Sequence, residues 1–466
     1  MKQDKRALAD LLMQQAIEDD GLRRRLLMEA ASHDPGRLDL VTYRRAIDEA
    51  VAIGGFIDYH DAFVYARGID AAIDGIEKLL KQGHAVAAID LAEHALAAVE
   101  QAMGSVDDSD GDMGGLLERL QDLHHRACKK AKPDPEALAR RLFAWELGTD
   151  WDVFHGAAQT YAGIFDRKGL TVYRTLAEAE WANVRPLGPG RDDPEKYGKR
   201  FRITQIMETL ARQTGDVEAL VAIKQRDLSS AYAYWQIAEL YQTAGKPDAA
   251  LDWAERGVAA FPARTDSRLR EFLAQAYHRR KRHDDAMALI WAEFVESTYP
   301  ESYRQLLTHA DRAGQRTAWR ERALVHLRAN IDQARAKRSR ERWALPVDHS
   351  ILVQIHLSEQ DLETAWAEAQ AGGCSNALWL DLAAKREKSH PQDALSVYQR
   401  QIEPTLDRTH NEAYRQAIAL LRKVHGLMRR LDRQADFADY LGGIRATYKR
   451  KRNFIKLLER ARWSSR

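Results

Sequence analysis

Apolar residues recur at helical spacing over much of the chain, most regularly in residues 231–262. The first half of this segment carries a row of apolar side chains at offsets of three, four and seven residues, which is the spacing of one face of an α-helix. These side chains are Tyr234, Ile237, Ala238 and Tyr241. The sequence contains no sustained alternation of Val, Ile or Thr with polar residues that would indicate a β-strand. The pattern therefore predicts a chain of amphipathic helices.

A turn divides residues 231–262 into two predicted helices. Gly245 suits the end of the first helix because glycine adopts the left-handed conformation at little cost, and Pro247 suits the first turn of the second helix. One face of the second helix carries small or aromatic residues, namely Ala250, Trp253, Ala254 and Gly257. Small residues let two helices approach closely, so the segment is predicted to form a helical hairpin that stops at Pro262.

This hairpin resembles the tetratricopeptide repeat. The positions that match the spacing of its consensus are Tyr234, Ala238, Tyr241, Gly245, Ala250, Gly257 and Pro262. Glycine at 257 departs mildly from the consensus, in which alanine is usual. A second copy follows after about 36 residues, against a usual period of about 34, and extends to residue 300. Weaker copies are found at 69–99, 203–227, 351–372 and 378–402.

We therefore predict an all-α fold, a right-handed superhelical solenoid of about six to eight tetratricopeptide-like helical hairpins with irregular loops. The predicted organisation has four parts. These are N-terminal helical hairpins in 1–130, a helical segment with a Pro/Gly-rich loop in 131–200, the tetratricopeptide-like core in 201–345, and C-terminal repeats with a basic capping helix in 346–466.

Composition narrows the class of protein. The 466 residues include 71 Lys and Arg against 69 Asp and Glu, a formal net charge of +2, which excludes a polycation but leaves local charged patches open. The two cysteines, Cys128 and Cys374, are too far apart in sequence for a CxxC metal site or a disulfide framework. The amino terminus has no apolar segment of a secretory signal, and no apolar run reaches the roughly 20 residues of a membrane span. We expect a cytoplasmic protein.

Two segments share some features with metal sites. Residues 104–115 are acidic and glycine-rich, but alignment on Gly111 places Val106 and Leu117 where an EF-hand needs acidic ligands. A solvated turn is the favoured interpretation. His124 and Cys128 lie four residues apart and would share a helix face, yet the sequence indicates no further ligands. We predict no metal site and favour packed side chains here.

The sequence contains no phosphate-binding, nucleophile-elbow or zinc-protease motif. We therefore predict that the protein is not an enzyme and uses no cofactor. The predicted function is a scaffold for protein–protein interaction, with a protein or peptide partner and without a small-molecule substrate. The first helix of each hairpin is expected to line the partner-binding groove. In the two clearest hairpins the candidate groove residues, which we expect to be exposed, are Gln236, Glu239, Gln242, Gln275 and His278.

Two basic stretches offer an alternative function. Residues 316–342 contain nine Lys and Arg against three acidic residues, and residues 445–466 contain nine against one. Such segments can bind the phosphate backbone of a nucleic acid, although a charged outer face, a solubilising tail or an acidic protein partner would produce the same composition. The candidate nucleic-acid-binding residues are Arg338, Arg340, Arg342, Lys449, Arg450, Lys451 and Arg452.

The chain also resembles the helical region that follows the SWIM zinc finger in a group of bacterial proteins, over about residues 5–460. The resemblance rests on ALADLLMQQAIEDDGLRRRLL, VDDSDGDMGGLLERLQDLH and YKRKRNFIKLLE. A SWIM finger requires a C-x-C and C-x-H set of ligands, which two distant cysteines do not supply. We expect either a family member without the finger or the helical part of a longer protein. The resemblance implies a helical scaffold and supplies no catalytic residues.

Overall fold

The structure is a computed structural model that describes residues 5–32, 38–193, 197–263, 265–338, 347–461 and 463. The chain forms two compact units, unit 1 (Met1–Leu269) and unit 2 (Arg270–Arg466). The described residues form 24 helices and no β-strand, with only two isolated bridges. The all-helical fold class is confirmed. The four-part division made from the sequence stays a prediction.

Unit 1 contains thirteen complete helices within its described residues. They are α1 (Lys5–Glu18), α2 (Asp20–Ser32), α3 (Leu40–Val51), α4 (Tyr59–Lys81), α5 (Ala85–Met103), α6 (Asp112–Ala131), α7 (Pro135–Gly148), α8 (Ala157–Thr160), α9 (Ala162–Trp181), α10 (Lys199–Thr214), α11 (Val217–Lys224), α12 (Ala231–Thr243) and α13 (Pro247–Ala260).

The division between the units falls inside α14 (Ser267–Arg279). The remaining described helices belong to unit 2. They are α15 (His283–Glu296), α16 (Pro300–Arg312), α17 (Arg316–Arg338), α18 (Ser350–Ser358), α19 (Leu362–Gly372), α20 (Asn376–Arg386), α21 (Pro391–Leu406), α22 (Asn411–Arg430), α23 (Gln434–Thr447) and α24 (Arg452–Arg460).

Helices α12 and α13 form the hairpin predicted from residues 231–262. Gly245 has φ +73° in the turn, and Pro247 begins α13. The small residues of the interface, Ala238, Ala250 and Ala254, are fully buried. Short connections of this kind bring consecutive helices back against each other. The weaker copies are also hairpins, formed by α4 with α5, α10 with α11, α18 with α19, and α20 with α21.

The two irregular loops of unit 1 are docked through their backbones. In the acidic loop, the Asp108 carboxylate accepts hydrogen bonds from Met113 N and Gly114 N and so caps α6, while Val106 pairs with Ile57. In the Pro/Gly-rich loop, Leu187 pairs with Asp227. These contacts satisfy backbone groups that a buried loop would otherwise leave without partners.

The basic capping helix predicted at the carboxyl end is not one continuous helix. The spacing of apolar residues over about 434–461 suggests one helix, but α23 ends at Thr447 and α24 begins at Arg452. The break turns the chain so that α24 contacts α22 and buries Phe454 and Leu458 completely. Burial of these two side chains favours the turn over a continuous helix. Within the described residues no helix is long and apolar enough to cross a bilayer.

Candidate functional site

Three of the predicted groove residues lie on α12 in unit 1. Glu239 and Gln242 are exposed to solvent, whereas Gln236 is partly buried. None of the three side chains forms a hydrogen bond to another described residue. Their assignment to a groove stays a prediction, and the expectation that Gln236 is exposed is wrong.

The other two predicted groove residues, Gln275 and His278, are engaged in a polar network of unit 2. The Gln275 amide donates to Glu271 Oε1 over 2.6 Å. Nδ1 of His278 is hydrogen-bonded to Nδ1 of His283 over 2.8 Å. Nε2 of His278 is hydrogen-bonded to Nδ1 of His309 over 3.0 Å. Both side chains are partly buried. The expectation that they are exposed is wrong, since Gln275 bonds to Glu271 and α16 places His309 beside His278.

This network ends at a carboxylate, since His309 Nε2 donates to Glu271 Oε2 over 2.9 Å. Burial, together with the charges of His309, His283 and Arg312, lowers the pKa of His278 to about 4. Burial raises the pKa of Glu271, but hydrogen bonds from His309 and two glutamine amides outweigh it and lower that pKa to about 2. The nitrogens of His278 face different neighbours, so the histidines form a chain of hydrogen bonds and do not converge on one point.

The basic candidates fall into two groups. Arg340 and Arg342 lie outside the described residues, as does the side chain of Arg338. The other four residues surround the turn between α23 and α24: Lys449, Arg450, Lys451 and Arg452. All but Lys451 are exposed.

The Lys451 side chain is bonded within the fold. Its ammonium donates to the Leu406 carbonyl over 2.6 Å and lies 3.6 Å from Asp407 Oδ1. The prediction of a phosphate-binding role is therefore not supported for Lys451, since its charge already anchors the turn.

His124 and Cys128 share one face of α6, as their spacing predicts, and Nε2 lies 3.6 Å from Sγ. Both are completely buried. His124 Nε2 donates to Glu93 over 3.0 Å, which leaves Nδ1 to accept from the Tyr161 hydroxyl at 2.7 Å. Burial raises the pKa of the Cys128 thiol to about 12, so it is a packed thiol and not a thiolate nucleophile.

The candidate site of unit 1 is a cavity of about 280 Å³ beside this buried pair. It lies between α6 and the loop 149–161, which includes α8. Its lining consists of Glu118, Gln121, Asp122, His125, Phe154, His155, Ala157, Thr160 and Tyr161. Gln121 and the rings of Phe154 and Tyr161 belong to the buried side of the cavity. Glu118, Asp122 and His155 are exposed at its opening.

The loop over the cavity has an unusual backbone. Asp152, Phe154 and Gly156 have φ values of +57°, +60° and +72°. Glycine accepts this region freely, but an L-residue there costs about 1–2 kcal/mol. Phe154 is only 2% exposed, and a bulky aromatic residue in this region is a clear outlier. Strained residues of this kind persist only where their surroundings hold them, and they concentrate at functional sites.

Side chains from two helices hold the loop in place. Gln121 Oε1 on α6 accepts the Phe154 N–H over 2.7 Å. The buried carboxylate of Glu146 on α7 accepts the N–H groups of Gly156 and Ala157 over 2.8 and 3.3 Å, as well as the Tyr173 hydroxyl. Burial raises the pKa of Glu146 despite these donors. The cavity wall is thus fixed before any ligand binds.

The charges at the opening are predominantly negative. Glu118 and Asp122 lie four residues apart on one face of α6, and neither forms a hydrogen bond or ion pair within the described part of the chain. Burial, followed by the charge of Lys129, lowers the pKa of His125, so this ring contributes little positive charge at neutral pH. Two carboxylates above aromatic rings suit a cationic group.

Sequence reasoning missed this site. The spacing of Glu118, Asp122 and His125 by four and three residues places them on one helical face, which was an available signal. Residues 149–161 contain no such sequence signal. Neither the left-handed conformation of Phe154 nor its approach to Gln121 follows from the local sequence.

The fold and this site define a helical-repeat protein with a preformed surface cavity. Residues 4–457 match the model of a family described as a family of unknown function (DUF6880), and the chain belongs to that family. No curated protein matches the sequence.

Several solved structures of helical proteins are similar over most of their length. A circular tandem repeat protein with novel repeat topology is 12% identical, with 94% of this chain and 96% of that chain covered and a TM-score of 0.17. The human IFIT1 dimer with PPP-AAAA is 11% identical, with 89% and 99% covered and a TM-score of 0.22. The APC/C hetero-tetramer Cut9–Hcn1 is 11% identical, with 97% and 98% covered and a TM-score of 0.18.

Proposed function

We propose that the protein is a non-catalytic helical-repeat scaffold that binds a protein partner, and that the cavity beneath the loop 149–161 holds a cationic side chain of that partner. The observation that carries the proposal is a strained loop held in place over a cavity whose opening has two unpaired carboxylates, Glu118 and Asp122. A site fixed in advance loses little conformational entropy when it binds.

The lining favours lysine or arginine over other side chains. Among the nine lining residues two are carboxylates and none is lysine or arginine. The rings of Phe154 and Tyr161 line the buried side of the cavity, and the face of an aromatic ring attracts a cation. His155 at the rim adds a hydrogen-bonding group that no other described residue uses.

The size of the cavity favours a side chain over a whole cofactor. About 280 Å³ lies just below the range of about 300–1,000 Å³ typical of small-molecule sites. The nearby groups do not suit nucleophilic catalysis, since the Cys128 thiol is buried and its pKa is raised to about 12. Recognition of a partner is therefore the function that this geometry supports best.

The test uses an uncharged alanine-based peptide with one central arginine and the same peptide with citrulline in its place. We expect calorimetric titration to detect binding of the arginine peptide only. Replacing both carboxylates, Glu118→Gln with Asp122→Asn, should weaken it at least tenfold, which corresponds to about 1.4 kcal/mol. The matched control is Glu136→Gln with Glu178→Gln, on exposed positions of α7 and α9.

Equal binding of the two peptides, or equal affinity of the double variant and the wild type, would overturn the proposal. The melting temperature of each variant shows whether the fold is intact. Affinity capture from the native host, followed by mass spectrometry, then identifies the partner. Loss of that partner from the double variant, but not from the control, is the expected result.

A second candidate function is binding of a nucleic-acid backbone at the turn between α23 and α24. It is supported by the exposure of Lys449, Arg450 and Arg452 around one turn. We expect gel-shift binding at low salt that weakens steeply as salt increases. Neutralising these three residues should abolish the shift, whereas a lack of any shift at low salt with the wild type would remove this function.

The relation to SWIM zinc finger proteins remains a prediction as well.

A further inference from the structure

A second cavity, of about 450 Å³, lies in unit 2 between α20, α21 and α22. Its volume is within the range of small-molecule sites. Its lining consists of Asn376, Ala377, Leu380, Gln401, Pro404, Thr405, Arg408, Gln416, Ala419 and Leu420. Half of these residues are aliphatic or proline, and the polar ones lie at the base and at one end. This cavity shares no residue with the proposed partner site of unit 1.

The base of the cavity contains the side-chain amide of Gln401. Gln401 is 4% exposed, and its side-chain amide forms no hydrogen bond to a described residue. Its neighbour Thr405 cannot serve as a donor, because the Thr405 hydroxyl donates to the Gln401 main-chain carbonyl over 2.7 Å. A side-chain amide offers both N–H donors and a carbonyl acceptor. A ligand with a hydrogen-bonding group at this depth can bond to it.

The end of the cavity carries a guanidinium group. Arg408 is exposed in the turn between α21 and α22, and one of its N–H groups donates to Gln416 Oε1. Gln416 in turn donates to Glu412 over 3.4 Å, and Glu412 is paired with Arg415. This arrangement orients Arg408, and its other N–H groups have no partner in the described part of the chain. A guanidinium with free N–H groups is suited to a carboxylate.

The turn that presents Arg408 is conformationally unusual. Thr409 has φ +56°, a region that a β-branched residue rarely adopts. On the other side of Arg408, Pro404 lies inside α21 and has no N–H to donate to the helix. The end of α21 is thus shaped by two residues that break helical regularity, and Pro404 and Arg408 there line the cavity.

We propose that this cavity binds an aliphatic carboxylate that carries one hydrogen-bonding group near its aliphatic body. The carboxylate pairs with Arg408, the aliphatic body lies against Ala377, Leu380 and Leu420, and the amide of Gln401 bonds the polar group. An N-acylated branched amino acid combines these three features. The same chemistry occurs in a free small molecule and at the carboxyl terminus of a peptide.

The first probe is N-acetyl-leucine, followed by ligand-observed NMR. We expect binding to the wild-type protein and at least tenfold weaker binding of N-acetyl-leucinamide, which has no carboxylate. Arg408→Gln should weaken the binding of N-acetyl-leucine until it equals that of N-acetyl-leucinamide. Gln401→Leu should weaken both probes while keeping the volume of the side chain. The matched control is Arg422→Gln, an exposed arginine on α22 outside the lining.

The source of the ligand is resolved by a second comparison. A hexapeptide ending in leucine that binds at least as tightly as N-acetyl-leucine indicates a peptide carboxyl terminus, and binding of N-acetyl-leucine alone indicates a free acid. The proposal is overturned if neither probe binds the wild type, if the acid and the amide bind equally, or if Arg408→Gln and Gln401→Leu both bind like the control. Because Glu118 and Asp122 lie in unit 1, their double variant should bind N-acetyl-leucine normally, which separates this proposal from the first.

Discussion

The backbone N–H of Phe154 donates to the side-chain oxygen of Gln121 over 2.7 Å, across 33 residues of sequence. Phe154 has φ +60° at this point, and its ring packs against His124, Trp145 and Tyr161. One amide on α6 therefore holds a strained residue of the loop 149–161. The shape of the unit 1 cavity depends on this contact.

Replacing the acceptor should loosen the loop. In Gln121→Leu the buried Phe154 N–H loses its partner, which is expected to cost about 1–3 kcal/mol of unfolding free energy. Urea unfolding followed by circular dichroism measures the change. Gln159→Leu, on an exposed position of α8, is the control and should change the stability little. Equal stability of the two variants would contradict the role given to Gln121.

Gly257 is predicted to be irreplaceable by the alanine that is usual in the tetratricopeptide consensus. A Cβ atom at this position would lie 2.6 Å from Tyr234 Cβ and 2.7 Å from Leu269 Cδ2. Gly257→Ala should therefore destabilise the protein by about 1–3 kcal/mol through overpacking. Thermal unfolding provides the measurement.

A matched glycine should respond in the opposite direction. Gly426 lies inside α22 and has open space around its Cβ position. Gly426→Ala should stabilise the protein by about 0.5–1 kcal/mol, because alanine has the higher helix propensity. A stabilising effect of Gly257→Ala would show that the two helices can move apart without loss.

Relief of strain at Thr409 should also stabilise the protein. Its φ of +56° suits glycine, so Thr409→Gly is expected to gain up to about 1 kcal/mol. Thr308→Gly, on an exposed position of α16, should have the opposite effect because glycine lowers helix propensity. The two melting temperatures should therefore move apart. A lower melting temperature for Thr409→Gly would mean that the Thr409 side chain stabilises the turn.

The histidine network should make stability depend on pH. Burial and the charges of His309, His283 and Arg312 lower the pKa of folded His278 to about 4, while Glu271 acts in the opposite sense. Below its ordinary pKa of about 6.5, the unfolded chain binds a proton that the folded chain rejects, so stability falls as pH decreases from about 6.5 towards 4.

This pH dependence is measured by urea unfolding at a series of pH values. His278→Gln removes the titrating group and should reduce the slope in that window. Loss of stability at still lower pH is expected to involve Glu271, whose pKa in the folded chain is lowered to about 2. Identical slopes for His278→Gln and the wild type between pH 6.5 and 4 would rule out the assignment to His278.

The hairpins could be predicted from sequence because their determinants are local. Gly245 and Pro247 fix the turn, and in each helix the apolar and small residues, such as Ala250 and Ala254, recur at helical spacing. Residues a few positions apart therefore carry the whole signal. The exposure of Gln275 and His278 could not be predicted in this way. It depends on α16, whose His309 lies about thirty residues further along the chain.

The sequence by itself therefore determined the helical class, the principal hairpins and the turns between them, because helix periodicity and turn chemistry act over a few residues. Only the tertiary structure decided where the cavities lie. It brought the loop of Phe154 onto Gln121, placed Arg408 at the end of a cavity containing Gln401, and committed Lys451 to the Leu406 carbonyl. These contacts join separate helices and loops, and their geometry follows from how those elements pack together.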